Sequence, residues 1–262
     1  MSAKSTVLIT GASAGIGAVY ADRFARRGHD LVLVARDGSR LNELAARLRH
    51  EAGVEVEALR ADLVDEQDLG RVEQRLRDDG RIGILVNNAG ALLRGDFLGQ
   101  SDGEIAGLIA LNITALTRLA HAAASRFAAK GGGAIINLGS IVGLAPEYKL
   151  TLYGATKAFV HFLTQGLNLE LGAKGVYVQA VLPSATRTEL WKRSGRDVDA
   201  LPAAVTTEEM VDAALVGFDR HETVTIPSLP DAEQWSTYEA ARSAMVPNLM
   251  QSHTAERYRA AR

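Results

Sequence analysis

The feature that most restricts the fold of this chain is a regular alternation of short apolar runs with longer helical patterns. Runs rich in Val, Ile and Leu recur over the first two-thirds of the chain, with helical spacing of apolar residues between them. This alternation predicts βαβ units, in which successive strands lie parallel in one sheet. The runs are apolar throughout, as expected for strands that helices cover on both faces. The predicted strands are 6–10, 31–34, 54–59, 82–86, 134–138 and 176–182.

The pattern as a whole predicts an α/β fold, a doubly wound (Rossmann) and mostly parallel sheet with helices on both faces. No Pro/Gly/Ser linker and no run of charge divides the chain, so we expect a single domain over 1–262. Within it we expect a substrate lid at about 186–206 and a C-terminal extension at about 228–262. The tail after Pro227 shows no clear period and is predicted to be irregular. Helices are predicted at 15–28, 39–51, 66–79 and 151–171.

Composition excludes several classes of function. The net charge of -2 gives no basic excess, and we therefore expect no nucleic-acid partner. The chain has no cysteine, which excludes disulfides and thiolate metal sites, and its six histidines show no ligand spacing, so no metal is expected. We see neither a signal-like N-terminus nor a run of roughly 18 apolar residues. We therefore predict a cytoplasmic protein without a membrane partner.

A glycine-rich segment follows the first predicted strand and precedes the first predicted helix. Its glycines allow a tight turn and a close backbone approach, and the helix N-terminus offers amide groups and a positive dipole end to a pyrophosphate. A plain strand-to-helix turn is the alternative, but the position at the first βα turn favours dinucleotide binding. The spacing is Gly-x-x-x-Gly-x-Gly. The candidate phosphate contacts are Gly11, Ser13, Ala14, Gly15, Ile16 and Gly17.

Tyr153 and Lys157 are four residues apart on the predicted helix 151–171 and share one of its faces. A free tyrosine has a pKa of about 10, and a nearby ammonium lowers it by favouring the phenolate. The pair is therefore a candidate for general acid–base chemistry. Such a pair alone is common on helix surfaces. Ser140, at the end of the strand 134–138, adds a hydroxyl that can hydrogen-bond a reacting oxygen.

Five motifs together resemble the short-chain dehydrogenase/reductase family in its compact single-domain branch. They are the glycine loop, Asp62-Leu63, Asn87-Asn88-Ala89-Gly90, Ser140 and Tyr153-x-x-x-Lys157, in family order over roughly 5–190. The resemblance implies an NAD(P)-dependent oxidoreductase that moves a hydride between nicotinamide and a carbonyl or secondary alcohol, with Tyr153 as acid/base. It implies a small-molecule carbonyl or alcohol as the substrate.

The resemblance also implies roles for individual residues. Asp62 and Leu63 would flank the adenine, and the segment from Asn87 through Asn88 and Ala89 to Gly90 would lie beside the cofactor's ribose. For Asp62, an ordinary helix N-terminal acid is the alternative. Lys157 would hold the nicotinamide ribose. The side chain of Asn112 would help to hold a water that links Lys157 to solvent.

After the strand 176–182 the chain departs from the family pattern. Pro183 and Thr188 match the family pattern, with Thr188 at the nicotinamide carboxamide, and Thr186 is a further candidate contact to the cofactor. Ser184 stands where the family has glycine, and a Cβ restricts the backbone there. We therefore expect an altered geometry on the nicotinamide side.

The end of the second strand bears on the choice of cofactor. An acid at this position hydrogen-bonds the ribose hydroxyls of NAD, whereas an arginine accommodates a 2′-phosphate. Here Ala35 replaces the acid and Arg36, which can form a bidentate pair with a phosphate, follows it. We predict that NADP(H) is preferred over NAD(H). In the alternative, Arg36 is a solvated loop residue and Asp37 takes the acid's role.

Substrate selectivity is predicted to depend on apolar residues near the site. These are Leu92, Leu93, Val142, Leu144 and the segment 189–202, with Leu190 and Trp191 as lid residues. The charges of Lys192, Arg193 and Arg196 are interpreted as a solvated face of the lid.

The helix 151–171 is apolar over more than one stripe, which predicts that it packs on two partners. Ala155, Phe159, Phe162 and Gly166 lie on one side, and relatives pair this helix across a two-fold axis. We expect a homodimer or homotetramer.

Three other functions remain open. A catalytically silent NADP(H)-binding sensor or regulator would keep the glycine loop but would be expected to lack Tyr153 or Lys157, and both are present. An epimerase or dehydratase of the extended branch would have a Gly-x-x-Gly-x-x-Gly loop. A structural interaction protein would not require a proton relay.

Overall fold

The structure is a computed structural model that describes residues 4–93, 95–193, 195 and 203–259. Within these residues, seven parallel strands form one sheet in the order β3-β2-β1-β4-β5-β6-β7. This confirms the predicted doubly wound parallel sheet, and β7 is an edge strand that the sequence did not predict. The strands are β1 (Thr6–Thr10), β2 (Leu31–Ala35), β3 (Val56–Arg60), β4 (Ile82–Asn87), β5 (Gly133–Leu138), β6 (Val176–Val181) and β7 (Val224–Thr225).

Helices connect the strands and cover both faces of the sheet. The predicted helix 151–171 has the bounds that its spacing indicated, and the other predicted helices agree within two residues at each end. The helices of this layer structure are α1 (Gly15–Arg26), α2 (Gly38–Ala52), α3 (Glu66–Asp78), α4 (Asp102–Ile109), α5 (Leu116–Lys130), α6 (Thr151–Leu171), α7 (Glu189–Arg193) and α8 (Thr207–Asp219).

The first strand shows how the sheet is fixed between its two helix layers. Val7 and Ile9 face one layer together with Tyr20 and Phe24 of α1, whereas Leu8 faces the other layer, with α3 and α5. Successive side chains of a strand point to opposite faces, so an unbroken apolar run fills both layers. None of these five residues is more than 1% exposed. Full burial of one such side chain contributes about 1.5–3 kcal/mol.

The strand order reverses between β1 and β4, because β2 and β3 lie on one side of β1 and β5 lies beyond β4. Ligands of doubly wound sheets bind outside the carboxyl ends of the strands at such a reversal. The segments that leave these ends are the glycine loop after β1 and the loop that begins at Asn88 after β4. The topology therefore brings both predicted cofactor loops to one edge of the sheet.

Two stretches differ from the sequence prediction. Between α4 and α5 the chain makes a π-helical turn, Ala110–Ala115, whose wider turn the apolar spacing did not reveal. The tail after Pro227 contains a further helix, α9 (Ala232–Leu249), so the prediction of an irregular tail is wrong. None of the residues of α9 is buried. Its sequence also lacks the amphipathic period that identifies a packed helix.

The chain forms two compact units, Met1–Pro227 and Ser228–Arg262. The first contains the sheet with α1 to α8, and the second contains α9. The division falls where the C-terminal extension was predicted to begin. A single domain over 1–262 stays a prediction.

One continuous helical stretch among the described residues, Asp102–Lys130, is long and apolar enough to cross a membrane by length and composition alone. The sequence prediction concerned an unbroken run of roughly 18 apolar residues, and this stretch is not such a run, because Asn112, Thr114 and Arg118 interrupt it. In the structure the stretch carries buried side chains, Leu119, Ala123 and Phe127 among them, that pack in one core layer with α3. We interpret it as a core helix, because such helices meet the same criterion.

Candidate active site

The N-terminus of α1 lacks the side-chain caps that begin α2 and α3. The residue before α1 is Ala14, which has no side-chain acceptor, and the first turn holds no acid. By contrast, Asp37 caps α2 and Asp65 caps α3. The amides and positive dipole end of α1 therefore remain for an anion, and this turn fits the pyrophosphate of a dinucleotide. The turn is formed by the predicted contacts Gly11, Ser13, Ala14, Gly15, Ile16 and Gly17.

The glycine loop is closely packed and is joined to the loop after β4. A Cβ at Gly17 would stand 2.3 Å from the carbonyl oxygen of Gly11, so only glycine fits there. Thr10 Oγ1 accepts the backbone amides of Asn88 and Ala89, each at 3.0 Å. The Asn88 side chain donates to the Thr10 carbonyl at 2.9 Å. These bonds hold the two cofactor loops against each other at the strand reversal.

Asn87 does not lie beside the cofactor loops as the resemblance implied. It is the last residue of β4 and is 2% exposed. Its amide nitrogen donates to Asn137 Oδ1 at 3.0 Å and to the Leu116 carbonyl at 3.3 Å. The implied position is therefore corrected: Asn87 packs inside the sheet, and the three residues that follow form the loop.

Exposed charges surround the end of β2. Arg36 has 63% of its side chain exposed, and its Nη1 lies 3.9 Å from Asp62 Oδ2. Asp37 Oδ1 accepts the backbone amide of Arg40 at 3.1 Å and so caps α2. Of the two side chains considered for the ribose, Asp37 is thus engaged as the cap of α2, and Arg36 faces solvent.

The two residues implied to flank the adenine, Asp62 and Leu63, follow β3, and one lies at the surface and the other in the core. The side chain of Asp62 is 43% exposed, whereas Leu63 is 5% exposed and packs in the core layer with α3 and α5. The acid that caps α3 is Asp65. Helix capping therefore does not account for Asp62.

The predicted lid, about 186–206, is described at its two ends. Residues 194 and 196–202 lie outside the described residues, as do the charged side chains at 192 and 193. The predictions for Arg196 and for the solvated face of the lid therefore fall outside what the structure describes.

The described ends of the lid are held to each other and to α2. Thr186 is 4% exposed, pairs with Val205 as an isolated parallel bridge and accepts Trp191 Nε1 on its carbonyl at 3.0 Å. Arg40 Nη1 donates to both carboxylate oxygens of Glu189 at 2.9 Å. The first turn of α7 is thereby joined to α2. Thr188 lies against Gly15, with Cγ2 3.3 Å from the point that a Cβ on Gly15 would occupy.

Ser140 connects the loops that follow β5 and β6. It is 9% exposed, and its Oγ donates to the Pro183 carbonyl at 3.2 Å and accepts the Val142 amide at 3.4 Å. Ser184, where the family has glycine, has no positive φ. The backbone at Ser184 is therefore one that a serine adopts without strain, and the altered geometry on the nicotinamide side stays a prediction. Its buried hydroxyl has no partner among the described residues.

Tyr153 and Lys157 lie where α6 packs on the loop after Ser140. A Cβ at Gly143 would stand 2.7 Å from the Lys157 carbonyl carbon, so helix and loop are in direct contact. Lys157 is 5% exposed, and its Nζ donates to the Leu138 carbonyl at 2.7 Å. The same Nζ lies 5.6 Å from the centre of the Tyr153 ring. The three predicted residues thus lie together at the carboxyl end of β5.

Burial decides the pKa values of this pair. It raises the pKa of Tyr153 and lowers the pKa of Lys157 to about 8. The expectation that Lys157 lowers the pKa of Tyr153 is wrong for this arrangement, because Nζ lies over the ring and donates to the Leu138 carbonyl. Tyr153 is therefore held in its protonated form.

Asn112 lies in the π-helical turn and is 1% exposed. Its Nδ2 donates to the Ala91 carbonyl at 3.0 Å and to Thr156 Oγ1 at 3.1 Å, and its Oδ1 accepts the Ala91 amide at 2.8 Å. Both amide hydrogens are engaged by protein groups. For the water that the resemblance implied, the side chain retains one acceptor position on Oδ1.

A cleft opens beside Tyr153, between the loop after β4 and the residues that precede α6. Lys149 stands at its rim with a φ of 55°. Leu92 and Leu93, predicted for substrate selectivity, line this cleft together with Tyr153. Val142 and Leu144 lie in the loop after Ser140 instead. The apolar wall consists of Leu92, Leu93, Phe97, Leu150 and Leu152.

Sequence reasoning missed two buried polar residues that hold the site together. Thr10 joins the cofactor loops. Thr156 bonds Asn112. No motif marks these residues. The available signal was a polar residue at a position where the local period predicts an apolar one.

Comparison with known proteins agrees with this geometry. The family model for short chain dehydrogenases matches residues 5–199. A short-chain dehydrogenase from Sphingobium yanoikuyae, solved in complex with NADPH, is 62% identical, with a TM-score of 0.96 over 97% of this chain and 100% of that chain. The bulky-bulky ketone specific alcohol dehydrogenase from Comamonas testosteroni is 55% identical, with a TM-score of 0.92 over 98% of this chain and 99% of that chain.

More distant relatives match a shorter segment. Very-long-chain 3-oxoacyl-CoA reductase-A of Danio rerio is 35% identical over 189 residues, which are 71% of this chain and 59% of that protein. The chain thus spans about three-fifths of the length of this relative and of reductase-B from the same organism.

The matched family model and the parallel sheet with its Tyr153–Lys157 pair lead to one conclusion: the chain belongs to the short-chain dehydrogenase/reductase family. The family match and the similarity to an NADPH-complexed dehydrogenase and an alcohol dehydrogenase support an NAD(P)-dependent oxidoreductase that acts on a CH–OH or C=O group. The predicted family and enzyme class are confirmed.

Proposed function

We propose that this protein is an NADP(H)-dependent carbonyl reductase and alcohol dehydrogenase that uses Tyr153 as its acid/base. The observation that carries the proposal is the cluster at the carboxyl end of β5, where Lys157 Nζ bonds the Leu138 carbonyl beneath the Tyr153 ring. A bound nicotinamide supplies the hydride for the carbonyl carbon, or accepts it from the alcohol. Tyr153 gives a proton to the carbonyl oxygen during reduction.

The surroundings of Tyr153 keep its hydroxyl protonated at neutral pH. Burial raises the pKa of Tyr153, so the hydroxyl retains the proton that a reduced carbonyl oxygen needs. Ser140 can hydrogen-bond the same oxygen once it exchanges its bond to the Pro183 carbonyl. Lys157 and Asn112 would hold the cofactor side of the site.

The preference for NADP(H) is supported by the different engagement of Arg36 and Asp37. Asp37 is used as the cap of α2, whereas the guanidinium of Arg36 faces solvent at the end of β2. A 2′-phosphate at this end would meet a cation rather than an acid. The relative from Sphingobium yanoikuyae was solved with NADPH, which agrees with this choice.

Large apolar ketones are the proposed substrates. The cleft beside Tyr153 has a wall of leucines, and its outer part includes Phe97, which is 53% exposed. The leucine side chains in this lining suit apolar groups on a ketone. A relative 55% identical is described as specific for bulky-bulky ketones. A 3-oxoacyl thioester is the alternative, with Lys149 at the rim as the cation for its polar end.

A homodimer or homotetramer is also proposed, through α6. Phe159, Phe162 and Leu169 are 38%, 79% and 88% exposed on this helix. Their spacing places them along one face, and an apolar face of this kind indicates a partner. Light scattering that shows only monomer would contradict this. The cytoplasmic location stays a prediction.

The experiment that tests the function is NADPH oxidation with a panel of ketones, aldehydes and acyl-thioester ketones. We expect turnover with ketones that carry two large apolar groups, and none with Tyr153→Phe. NADPH binding without turnover on any member of the panel would favour the sensor instead.

A further inference from the structure

A threonine outside the recognised motif residues joins two parts of the proposed site. Thr156 directly precedes Lys157 in α6 and is 1% exposed. Its Oγ1 accepts Asn112 Nδ2 at 3.1 Å and donates to the backbone carbonyl of Tyr153 at 2.8 Å. One hydroxyl therefore connects the π-helical turn to the backbone of Tyr153.

The Asn112 amide depends on this hydroxyl for its last hydrogen bond. Ala91 takes one Nδ2 hydrogen on its carbonyl at 3.0 Å and gives its own amide to Oδ1 at 2.8 Å. This pair of bonds fixes the direction of the amide plane and aims the second hydrogen at Thr156. Asn112 is 1% exposed, so solvent is a poor substitute. A buried amide hydrogen without an acceptor is costly, and loss of the hydroxyl would displace Asn112.

Such a displacement would reach the proton-transfer residues. Asn112 Oδ1 and Lys157 Nζ lie 3.4 and 3.7 Å from the point that a Cβ on Gly90 would occupy. They therefore flank Gly90 from two elements, the π-helical turn and α6. The bond from Asn112 to Thr156 joins these two elements directly.

We propose that Thr156 is a positioning residue for proton transfer: its hydroxyl holds Asn112 and the first turn of α6, which carries Tyr153, in fixed relation. This rests on the proposed function, because it gives Thr156 a part in the same reaction. Thr156 acts through Asn112 and Tyr153 and does not itself handle the proton.

The chain contains a matched control for the local hydrogen bonds. A helical threonine commonly donates to a carbonyl in the preceding turn, so that bond alone carries no function. Thr164, about two turns further along α6, is 0% exposed, donates to the Val160 carbonyl at 2.8 Å and accepts Asn137 Nδ2 at 3.0 Å. It makes the same two kinds of bond as Thr156, but its bonds do not reach Tyr153 or Asn112.

The test compares Thr156→Val, Thr156→Ser and Thr164→Val in the full chain, with NADPH and a ketone that the wild-type protein reduces. We expect Thr156→Val to lower kcat about 10- to 100-fold, because small displacements of reacting groups have effects of this size. The Kd for NADPH should stay within about threefold, since the glycine loop is untouched. The midpoint of the pH profile of kcat should move by about half a unit or more.

The two other variants separate positioning from stability. Thr156→Ser keeps the hydroxyl and should return kcat to within about threefold of wild type. Thr164→Val should lower Tm about as much as Thr156→Val and leave kcat and the pH profile unchanged. Equal losses of kcat in the two valine variants, or a wild-type kcat and pH profile in Thr156→Val, would overturn the proposal. If Thr156→Val does not fold, Thr156→Ala replaces it with the same expected and contradicting results.

A double-mutant cycle with Asn112→Ala tests the route. If Thr156 acts through Asn112, Thr156→Val should lower kcat little further in the Asn112→Ala background, and fully additive losses would contradict the proposal. Failure of the proposed function has a different signature. In that case the wild-type protein would fail to oxidise NADPH whichever ketone is supplied. Failure of the Thr156 proposal leaves wild-type turnover and its loss in Tyr153→Phe intact.

Discussion

The nicotinamide end and the adenosine end of the proposed cofactor cleft differ in how far water reaches their polar groups. At the nicotinamide end, Ser140, Lys157 and Asn112 are 9%, 5% and 1% exposed, and each makes hydrogen bonds to other elements of the fold. At the adenosine end, Arg36 and Asp62 have 63% and 43% of their side chains exposed and stand 3.9 Å apart.

This difference decides how much a single side chain contributes. In a site with little water, hydrogen bonds and charges are strong and leaving one unpaired is costly. Exposed charges are screened by water and salt, and their interactions are weak. Changes at the proton-transfer end should therefore abolish chemistry or shift stability, whereas changes at the adenosine end should alter cofactor binding by modest factors.

The largest effect is expected at Tyr153. Tyr153→Phe removes the proposed proton donor and keeps the ring against which Lys157 packs. We expect kcat to fall about 10²- to 10⁴-fold, the usual contribution of a general acid or base. NADPH oxidation with a reducible ketone is the measurement, and an unchanged NADPH Kd is the control. Near-normal turnover in this variant would show that Tyr153 is not the proton donor, and the buried end would then not be the proton-transfer end.

The buried lysine should make folding stability depend on pH. Burial lowers the pKa of Lys157 from 10.5 to about 8, so the folded protein holds this proton more weakly than the unfolded chain. The cost of the buried charge is complete below pH 8 and is relieved as the pH rises towards 10.5. The free energy of unfolding of wild type, relative to Lys157→Met, should therefore rise by up to about 3 kcal/mol over this range.

Urea unfolding of both proteins at several pH values from 7 to about 10 measures this difference. Lys157→Met is the control for all other titrating groups, because it lacks only this one. If the difference in the free energy of unfolding between wild type and Lys157→Met stayed constant across this pH range, burial would not destabilise the charged form of Lys157.

At the adenosine end, Arg36→Ala should weaken NADPH binding about tenfold and leave NADH within about twofold. Asp37→Asn is the matched variant, since asparagine also caps a helix and only the charge is lost. We expect it to change neither Kd by more than about twofold. If Asp37→Asn weakened NADH and Arg36→Ala left NADPH unchanged, Asp37 would be the ribose-binding acid and NAD(H) the preferred cofactor.

The smallest effect is expected for the bond between α2 and the lid. Arg40 donates to Glu189 with both groups partly exposed, so Glu189→Gln should speed NADPH dissociation only about two- to threefold, and less at high salt. Stopped-flow fluorescence measures the rate. Glu43→Gln is the control, because Glu43 lies on α2 but bonds only Ser39 in the described hydrogen bonds. Equal effects of the two variants would show that the lid bond has no part in retaining the cofactor.

Local sequence patterns predicted most of the first unit. The period of the residues 151–171 predicted α6 with both of its ends, and apolar runs predicted β1, β2, β4, β5 and β6 within one residue. β7 was missed because two residues show no period. The helix α9 was missed because its apolar residues do not gather on one face, so its sequence shows no helical period.

The sequence likewise predicted one part of the candidate site and left another part to the tertiary structure. By itself, the sequence determined that Tyr153 and Lys157 share a helix face and that glycines lie where the first strand leads into the first helix, because these are matters of spacing along one segment. Only the tertiary structure decided the direction of Asn87, the bond from Asn112 to Thr156, and the raised pKa of Tyr153. Each of these depends on which groups from distant segments exclude water from one another, and burial of that kind is a property of packed elements, not of any one of them.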